Sequence, residues 1–499
     1  MASKSLKGRL LYRVMSLCCS LSFALYGYDA GVLGGVQNTK PFLAALRRKN
    51  PTGTYVIPMV ASSYVLAAAV LSFALMFVGM PIGRRRCIML GDAFVIVGSA
   101  IQASAMSVPH IIVGRVICGF GIGFISSTVP TYMAEMSIES KERGPEVAVQ
   151  CVWLISGIAV AYWIDFGFTR LDTQISWRFP IAFQSVFAMV SLSGMIFLPD
   201  TPRWYYAQNR VAEGDSVLQR LHDLPLEDDR VQLQKREIMT SIELEEKEEN
   251  KLSVKSLLWD NTELRVGRRI RIAFLILSIQ QMMGINMLVY YSTRIFANIG
   301  LSDYLSQLLA AVMNTGFAIG TYPLPYTIEK FGRRPIMIWS AVICSISMLI
   351  FVIMIGLPNP TIATQWTAVS FVIVYNFAFG YGWIGCPWLY GPEIAPLKYR
   401  HIGGAAGSTG EWLFSFITVF AGGIAIERIG WKIWIWQLIA CIAAIPFVYF
   451  MCPETGGKSL EEIDMLFAKS RVRDPTWVAE SGKSNDSKES ASVSLSEKM

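Results

Sequence analysis

Apolar blocks of about twenty residues recur along the chain, separated by short polar stretches. A helix rising 1.5 Å per residue needs about 20 apolar residues to cross roughly 30 Å of hydrocarbon. Twelve blocks meet that length, at 14–36, 59–80, 87–106, 111–134, 147–168 and 179–199, then at 270–292, 305–328, 335–356, 365–391, 403–426 and 432–452. Lipid offers backbone groups no partners, so each block is predicted to be a helix. The polar stretch 203–269 carries apolar residues at helical spacing, which predicts short amphipathic helices on the membrane surface. The Ser/Lys/Glu-rich tail has the composition of a disordered segment. The expected fold is an all-α membrane protein: a cytoplasmic amino terminus (1–13), a six-helix bundle (14–202), a cytoplasmic linker (203–269), a second six-helix bundle with its adjoining cytoplasmic motif (270–467), and a cytoplasmic tail (468–499).

Composition agrees, with 53% hydrophobic and 16% charged residues and a mean hydropathy of +0.42, too apolar for an ordinary soluble globule. The net charge of +7 is spread through short connecting segments instead of one patch, which argues against a nucleic-acid partner. "GRRR" (83–86), "KERG" (141–144), "KFGRR" (330–334), "KYR" (398–400) and the basic amino terminus all fall on one side if twelve spans alternate. By the positive-inside rule that side is the cytoplasm, and both termini share it. The first outward loop, with Lys40, Arg47, Arg48 and Lys49, runs against the rule. Nine cysteines lie mostly in apolar runs without metal-type spacing, and no nucleophile–base set or phosphate loop stands out, so neither a cofactor, a metal site nor an enzymatic activity is expected.

The two halves echo each other. "GRRRCIML" at 83 returns as "GRRPIMIW" at 332, "PDTPR" at 199 as "PETGG" at 453, and Glu135 of "AEMS" as Glu393 of "PEIAP". The offsets of 249, 254 and 258 are nearly one interval, so the bundles are predicted to be equivalent, with a substrate path between them.

One carboxylate interrupts the first apolar block: Asp29, in "LSFALYGYDAGVLGG". A charge near mid-membrane costs at least about 2.5–3.5 kcal/mol, so it should face a cavity and have a partner. Arg115 is the sole charged residue of "IIVGRVICGFGIGFISSTVPTYMA", at a similar depth if the spans alternate. Such a pair suits proton release and uptake as a cavity opens to either side. Two other readings stay open: a structural ion pair, and an Asp29 that bonds backbone opened by Gly27, Gly31, Gly34 and Gly35.

These residues sit among motifs that together resemble the sugar porter family of the major facilitator superfamily, most of all its fungal proton symporters. They are "GRRR" after the second span, "R...GFGIG....VPTY..E" in the fourth, "PDTPRW" after the sixth, "QQMMGINMLVYYS" in the seventh, "EKFGRR" after the eighth, "PWLYGPEIAP...R" in the tenth and "PETGGKSLEEID" after the twelfth. The resemblance implies proton-coupled uptake of a sugar, a monosaccharide, across the plasma membrane by alternating access in a monomer. A proton-independent sugar or polyol carrier and a non-transporting nutrient sensor are its rivals. It places proton coupling at Asp29 and Arg115, and sugar contacts at Gln280, Gln281, Asn286, Asn314, Trp388 and Trp412. Glu411 stands where the family commonly has an amide. Amides both donate to and accept from hydroxyls, and aromatic plates suit a sugar's C–H face. Tyr290 and Tyr291 resemble outer-gate aromatics. Glu135 with Arg143, Glu329 with Arg333 and Arg334, and Glu393 with Arg400, together with Arg84 and Arg85, resemble an inner gating network whose pairs form across the bundles. Met80 stands where the amino-half motif normally has an acid, and Cys151 where the fifth span usually has a glutamine, with Gln150 one place off.

Overall fold

A computed structural model describes residues 6–46, 55–137, 143–247, 265–395, 400–458 and 460–467. The first half contains α1 (Gly8–Val36), a short α2 (Lys40–Ala45), α3 (Val56–Ile82), α4 (Arg84–Ala103), α5 (Val108–Met136), α6 (Arg143–Phe168) and α7 (Ile175–Met195). The linker forms α8 (Pro202–Ala207), α9 (Val211–His222) and α10 (Asp229–Lys247). The second half contains α11 (Val266–Met282), α12 (Ile285–Asn298), α13 (Asp303–Thr321), α14 (Leu324–Phe331), α15 (Arg333–Gly356), α16 (Ile362–Phe379), α17 (Gly385–Ile394), α18 (Arg400–Arg428), α19 (Ile433–Met451) and α20 (Leu460–Phe467).

Eleven helical stretches among the described residues are long and apolar enough to span a bilayer. α13 and α14 take the twelfth place. Ser306, Gln307, Asn314, Thr315 and Thr321 dilute the hydropathy of α13, and Pro323 separates the two pieces. The first span starts at Gly8, earlier than the apolar run, because its leading polar turn is helical too.

Packing repeats between the halves. In the first, α4 packs on α5 and α7, α1 on α6, and α3 on α5; in the second, α15 packs on α16 and α19, α11 on α18, and α13 on α16. Each pairing in one half is the other's counterpart by span number. The bundles meet where α3 crosses α18, α6 crosses α13 and α14, and α1 touches α12.

α1 is one unbroken helix through its glycines, so its backbone is not opened at Asp29. The glycines serve close approach instead: a Cβ on Gly27 would lie 1.7 Å from the Leu154 carbonyl oxygen of α6, and one on Gly157 would lie 2.1 Å from that of Ala24. The seventh span, one apolar block in the sequence, breaks into α11 and α12 at Gly284, whose φ of +89° is left-handed. The tenth span carries a π-helical turn, Gly380–Ile384, between α16 and α17. Both irregularities lie beside the central cavity, where such turns re-aim side chains.

Linker helices α8 to α10 bury Tyr206, Leu218 and Val231 in a small core of their own, and Asp215 accepts from Tyr206 and Lys235. α9 also packs on α1. The loop residues Arg47, Arg48 and Lys49 and the tail 468–499 lie outside the described residues. All nine cysteines are buried and free.

Candidate functional site

Between the bundles lies a narrow cavity. α1 lends it Tyr26, α6 Cys151, α11 Gln280 and Gln281, α12 Asn286 and Tyr290, α17 Trp388, and α18 Glu411, Trp412 and Ser415. The Gly284 break turns the α11 amides and Asn286 toward one another: Asn286 Nδ2 donates to Gln281 Oε1 (2.8 Å) and to Ser415 Oγ (2.6 Å). Gln280 donates to the carbonyl of Trp383, inside the π-helical turn. Trp412 packs against Tyr26 with ring centroids 5.3 Å apart. Glu411 accepts a hydrogen bond from Tyr26 (3.3 Å).

Asn314 is not among these lining residues. It is fully buried on α13, its amide nitrogen donates to the Ala310 carbonyl one turn earlier, and its Oδ1 has no partner. Cys151 lines the cavity and Gln150 does not, as the turn of about 100° between neighbours on a helix requires.

Asp29 and Arg115 meet one layer away, with Arg115 Nη1 2.8 Å from Asp29 Oδ1 and both side chains fully buried. Arg115 also reaches the backbone carbonyls of Asp29 (3.4 Å) and Ala61 (3.5 Å), and its guanidinium lies 4.4 Å from the ring centre of Tyr64. Asp29 Oδ2 and Arg115 Nε have no partner. The pair therefore ties α1, α3 and α5 together with hydrogen-bonding capacity to spare. Tyr290 joins it to the cavity: its side chain lines the wall and lies beside Arg115. Tyr64 makes a second bridge, edge-on to Trp412 at 6.3 Å.

Near the carboxyl-terminal end of α1 the bundles are stitched by hydrogen bonds involving α12. Gln37 donates to the Tyr290 carbonyl (2.6 Å), Thr293 to the Gly34 carbonyl (2.9 Å), and Tyr162 to the Val289 carbonyl. Tyr291 turns away from the cavity and donates to Val419 of α18 (2.9 Å), so the two adjacent tyrosines have separate surroundings.

The opposite end, where α4 and α15 begin, holds one constellation built twice. Arg84 pairs with Glu135 (2.8 Å), which also accepts from Thr201, while Tyr132 donates to the Pro199 carbonyl. Arg333 pairs with Glu393 (2.7 Å), which accepts from Thr455, while Tyr390 donates to the Pro453 carbonyl. Asp200 accepts from the backbone N–H of Arg84 at the start of α4, and Glu454 does so from Arg333 and Arg334 at the start of α15. A carboxylate at a helix N-terminus satisfies donors that have no partner within the helix. Burial pushes the Asp200 carboxyl up, and these N–H bonds oppose that rise.

The pairs formed by Arg84 and Arg333 lie within a bundle, contrary to the expectation that they cross between bundles. Glu329 likewise bonds Arg333 of its own half (2.6 Å). The reason is local: Glu329 lies in the last turn of α14, four residues before Arg333 and across the turn at Gly332 (φ +80°) that starts α15, and α15 packs beside α17. Contact across the bundles comes at Gly144 of α6, where a Cβ would lie 2.5 Å from Glu329 Oε1. The position equivalent to Glu329 in the first half is Met80, which leaves that half without the second acid. Arg85 donates to the carbonyls of Met195 and Ile196, and Arg334 to that of Tyr449. The side chains of Arg143 and Arg400 lie outside the described residues.

Sequence reasoning missed Tyr26, Tyr64, Gln37 and Ser415, which carry no motif of their own. Tyr132 with Tyr390 and Thr201 with Thr455 were findable, since each precedes or follows a repeated acid at the same spacing in both halves.

A two-bundle helical membrane fold with a hydrogen-bonding cavity at its centre is the architecture of a carrier. Residues 15–467 match the family model described as "Sugar (and other) transporter". The chain belongs to this family, the sugar porters of the major facilitator superfamily, and is a multi-pass transporter-family protein, not an enzyme. It is 32% identical over 458 residues to the MFS-type transporter oryC of Aspergillus oryzae, covering 91% of this chain and 85% of that one. It is also 32% identical over 476 residues to the sugar transporter STL1 of Saccharomyces cerevisiae, covering 93% and 83%. The fold matches the proton:xylose symporter XylE of E. coli with a TM-score of 0.77 at 20% identity, over 91% of this chain and 99% of that one.

Proposed function

We propose that the protein carries a monosaccharide together with a proton into the cell across the plasma membrane, alternating access to the central cavity as a monomer with both termini cytoplasmic. The observation that carries the reading is the sealed Asp29–Arg115 pair, joined by Tyr290 to a cavity of amides and aromatic rings. An arginine favours the ionised carboxylate and a dry environment favours the protonated one. Rehydration on one side would then release the proton, and closure would favour its uptake. In this reading Gln280, Gln281, Asn286, Trp388, Glu411 and Trp412 hold the sugar. Tyr290 and Tyr291 close the outside. The repeated inner constellation, from Arg84, Arg85 and Glu135 to Glu329, Arg333, Arg334 and Glu393, with Arg143 and Arg400 at its edges, sets the inner gate.

The test is uptake of labelled monosaccharides in cells lacking their own sugar carriers, with and without a protonophore. Gradient-driven accumulation should collapse with the protonophore, whereas counterflow of the same sugar in vesicles should continue. Accumulation that survives the protonophore overturns proton coupling, uptake that only equilibrates with or without it would leave a proton-independent carrier, and no counterflow of any sugar or polyol would leave a sensor.

Asn286 bridges Gln281 and Ser415, and truncating it removes one ligand-facing amide and two internal bonds. Asn286→Ala should therefore raise the half-saturation concentration about tenfold, the equivalent of roughly 1.4 kcal/mol. Concentration-dependent counterflow measures it.

A further inference from the structure

Glu411 is 4% exposed and, among the described residues, is the one carboxylate or cationic side chain lining the central cavity. Its Oε1 accepts from Tyr26, and its Oε2 has no partner. The titratable groups around it are Tyr26 of α1, Cys151 of α6 and Tyr290 of α12, none of them a cation. Charges on the helices packed against α18 are engaged elsewhere: Arg115 of α5 with Asp29, Arg294 of α12 with Glu427, Glu393 of α17 with Arg333, and Arg269 of α11 with the Ile394 carbonyl. A carboxylate buried without a cation is costly enough that it takes up a proton instead.

Of the six amide hydrogens of Gln280, Gln281 and Asn286, four already go to Trp383, Gln280, Gln281 and Ser415, and Trp412 Nε1 is without a partner. An ionised Glu411 would add two more acceptor oxygens, whereas a protonated one supplies an O–H.

We propose that Glu411 is a second proton-binding site, placed in the sugar cavity itself: its neutral carboxyl donates a hydrogen bond to a ligand hydroxyl, so ligand affinity depends on a proton other than the one at Asp29. The role in ligand binding rests on the reading of the cavity as a sugar site; the protonation does not.

Infrared difference spectroscopy on the purified full-length protein separates the two. Spectra of wild type, Glu411→Gln, Asp29→Asn and Tyr26→Phe are compared near neutral pH, in the region of the protonated-carboxyl stretch. Asp92 and Asp165, which are also buried, contribute equally to each and cancel. The expected result is a protonated-carboxyl band that disappears in Glu411→Gln, persists in Asp29→Asn and shifts without loss in Tyr26→Phe, whose carboxyl is intact. The Tyr26→Phe shift keeps the test decisive if Glu411→Gln fails to fold. No band assignable to Glu411 in either variant overturns the proposal, because the group is then ionised.

With D-glucose as the probe, the band should move to lower frequency. The wild-type dissociation constant should weaken about tenfold per pH unit above the titration of Glu411, and that slope should flatten in Glu411→Gln. A pH slope equal in the two proteins overturns the coupling to the ligand. Failure of D-glucose and other sugars to bind at all counts against the sugar-site reading and leaves the spectroscopic result standing.

Discussion

Asp29→Asn is expected to abolish accumulation of sugar against a gradient while leaving its exchange down one. A proton crossing a potential of about 100 mV brings about 2.3 kcal/mol, enough for roughly fiftyfold accumulation. Asparagine can accept the Arg115 hydrogen bond now made by Asp29 Oδ1, but it cannot take a proton on and off. The ratio of internal to external sugar should therefore fall to about one. Arg115 would be left as a buried charge without its counterion, a loss that costs roughly 3–5 kcal/mol when one member of a buried pair is removed. The neutral pair Asp29→Asn with Arg115→Gln should recover stability without recovering accumulation. Thermal unfolding and tracer uptake read the two effects separately. Accumulation that persists in Asp29→Asn would refute coupling at this pair, and a purely structural ion pair would be the correct reading.

The second large effect is structural. Gly27→Ala places a Cβ 1.7 Å from the Leu154 carbonyl oxygen, so α1 and α6 cannot stay at their present distance. That obstacle is backbone, which does not rotate aside as a side-chain end does. We expect a loss of about 3 kcal/mol or more, seen as a lower unfolding temperature and a smaller folded fraction after detergent extraction. Gly167→Ala is the control in the same helix pair: nothing lies within 4 Å of its added Cβ, and the variant should be at least as stable as wild type. Equal behaviour of the two variants would show that the helices separate at little cost.

The reach of the sequence differs from residue to residue. Asp29 and Arg115 were legible because a charge in lipid has few places to go and each was alone in its span. The twelve spans were legible because a bilayer imposes one length on every crossing. The repeated arginines and acids were visible, and Glu329 does pair with Arg333, but within one bundle and not across the two. Sequence spacing shows that Glu135 and Glu393 recur, whereas only packing shows Arg84 and Arg333 turning inward within their own bundles. Asn314 shares a face of α13 with the cavity residue Phe317, yet its amide nitrogen is spent on the Ala310 carbonyl of its own helix. The break at Gly284 and the π-helical turn at Gly380–Ile384 are invisible to hydropathy, which averages over a whole span. Both steer the cavity amides.

The sequence by itself determined the solvent, the number of crossings, the two-fold repeat and the residues too polar to face lipid, because transfer energies and backbone hydrogen bonding act on each segment separately. The tertiary structure decided which polar groups share a wall, which donors are already engaged, and that Glu411 faces the cavity without a cation beside it. Those depend on helix rotation, and rotation is settled only when close contacts such as Gly27 against Leu154 fix how neighbouring helices pack.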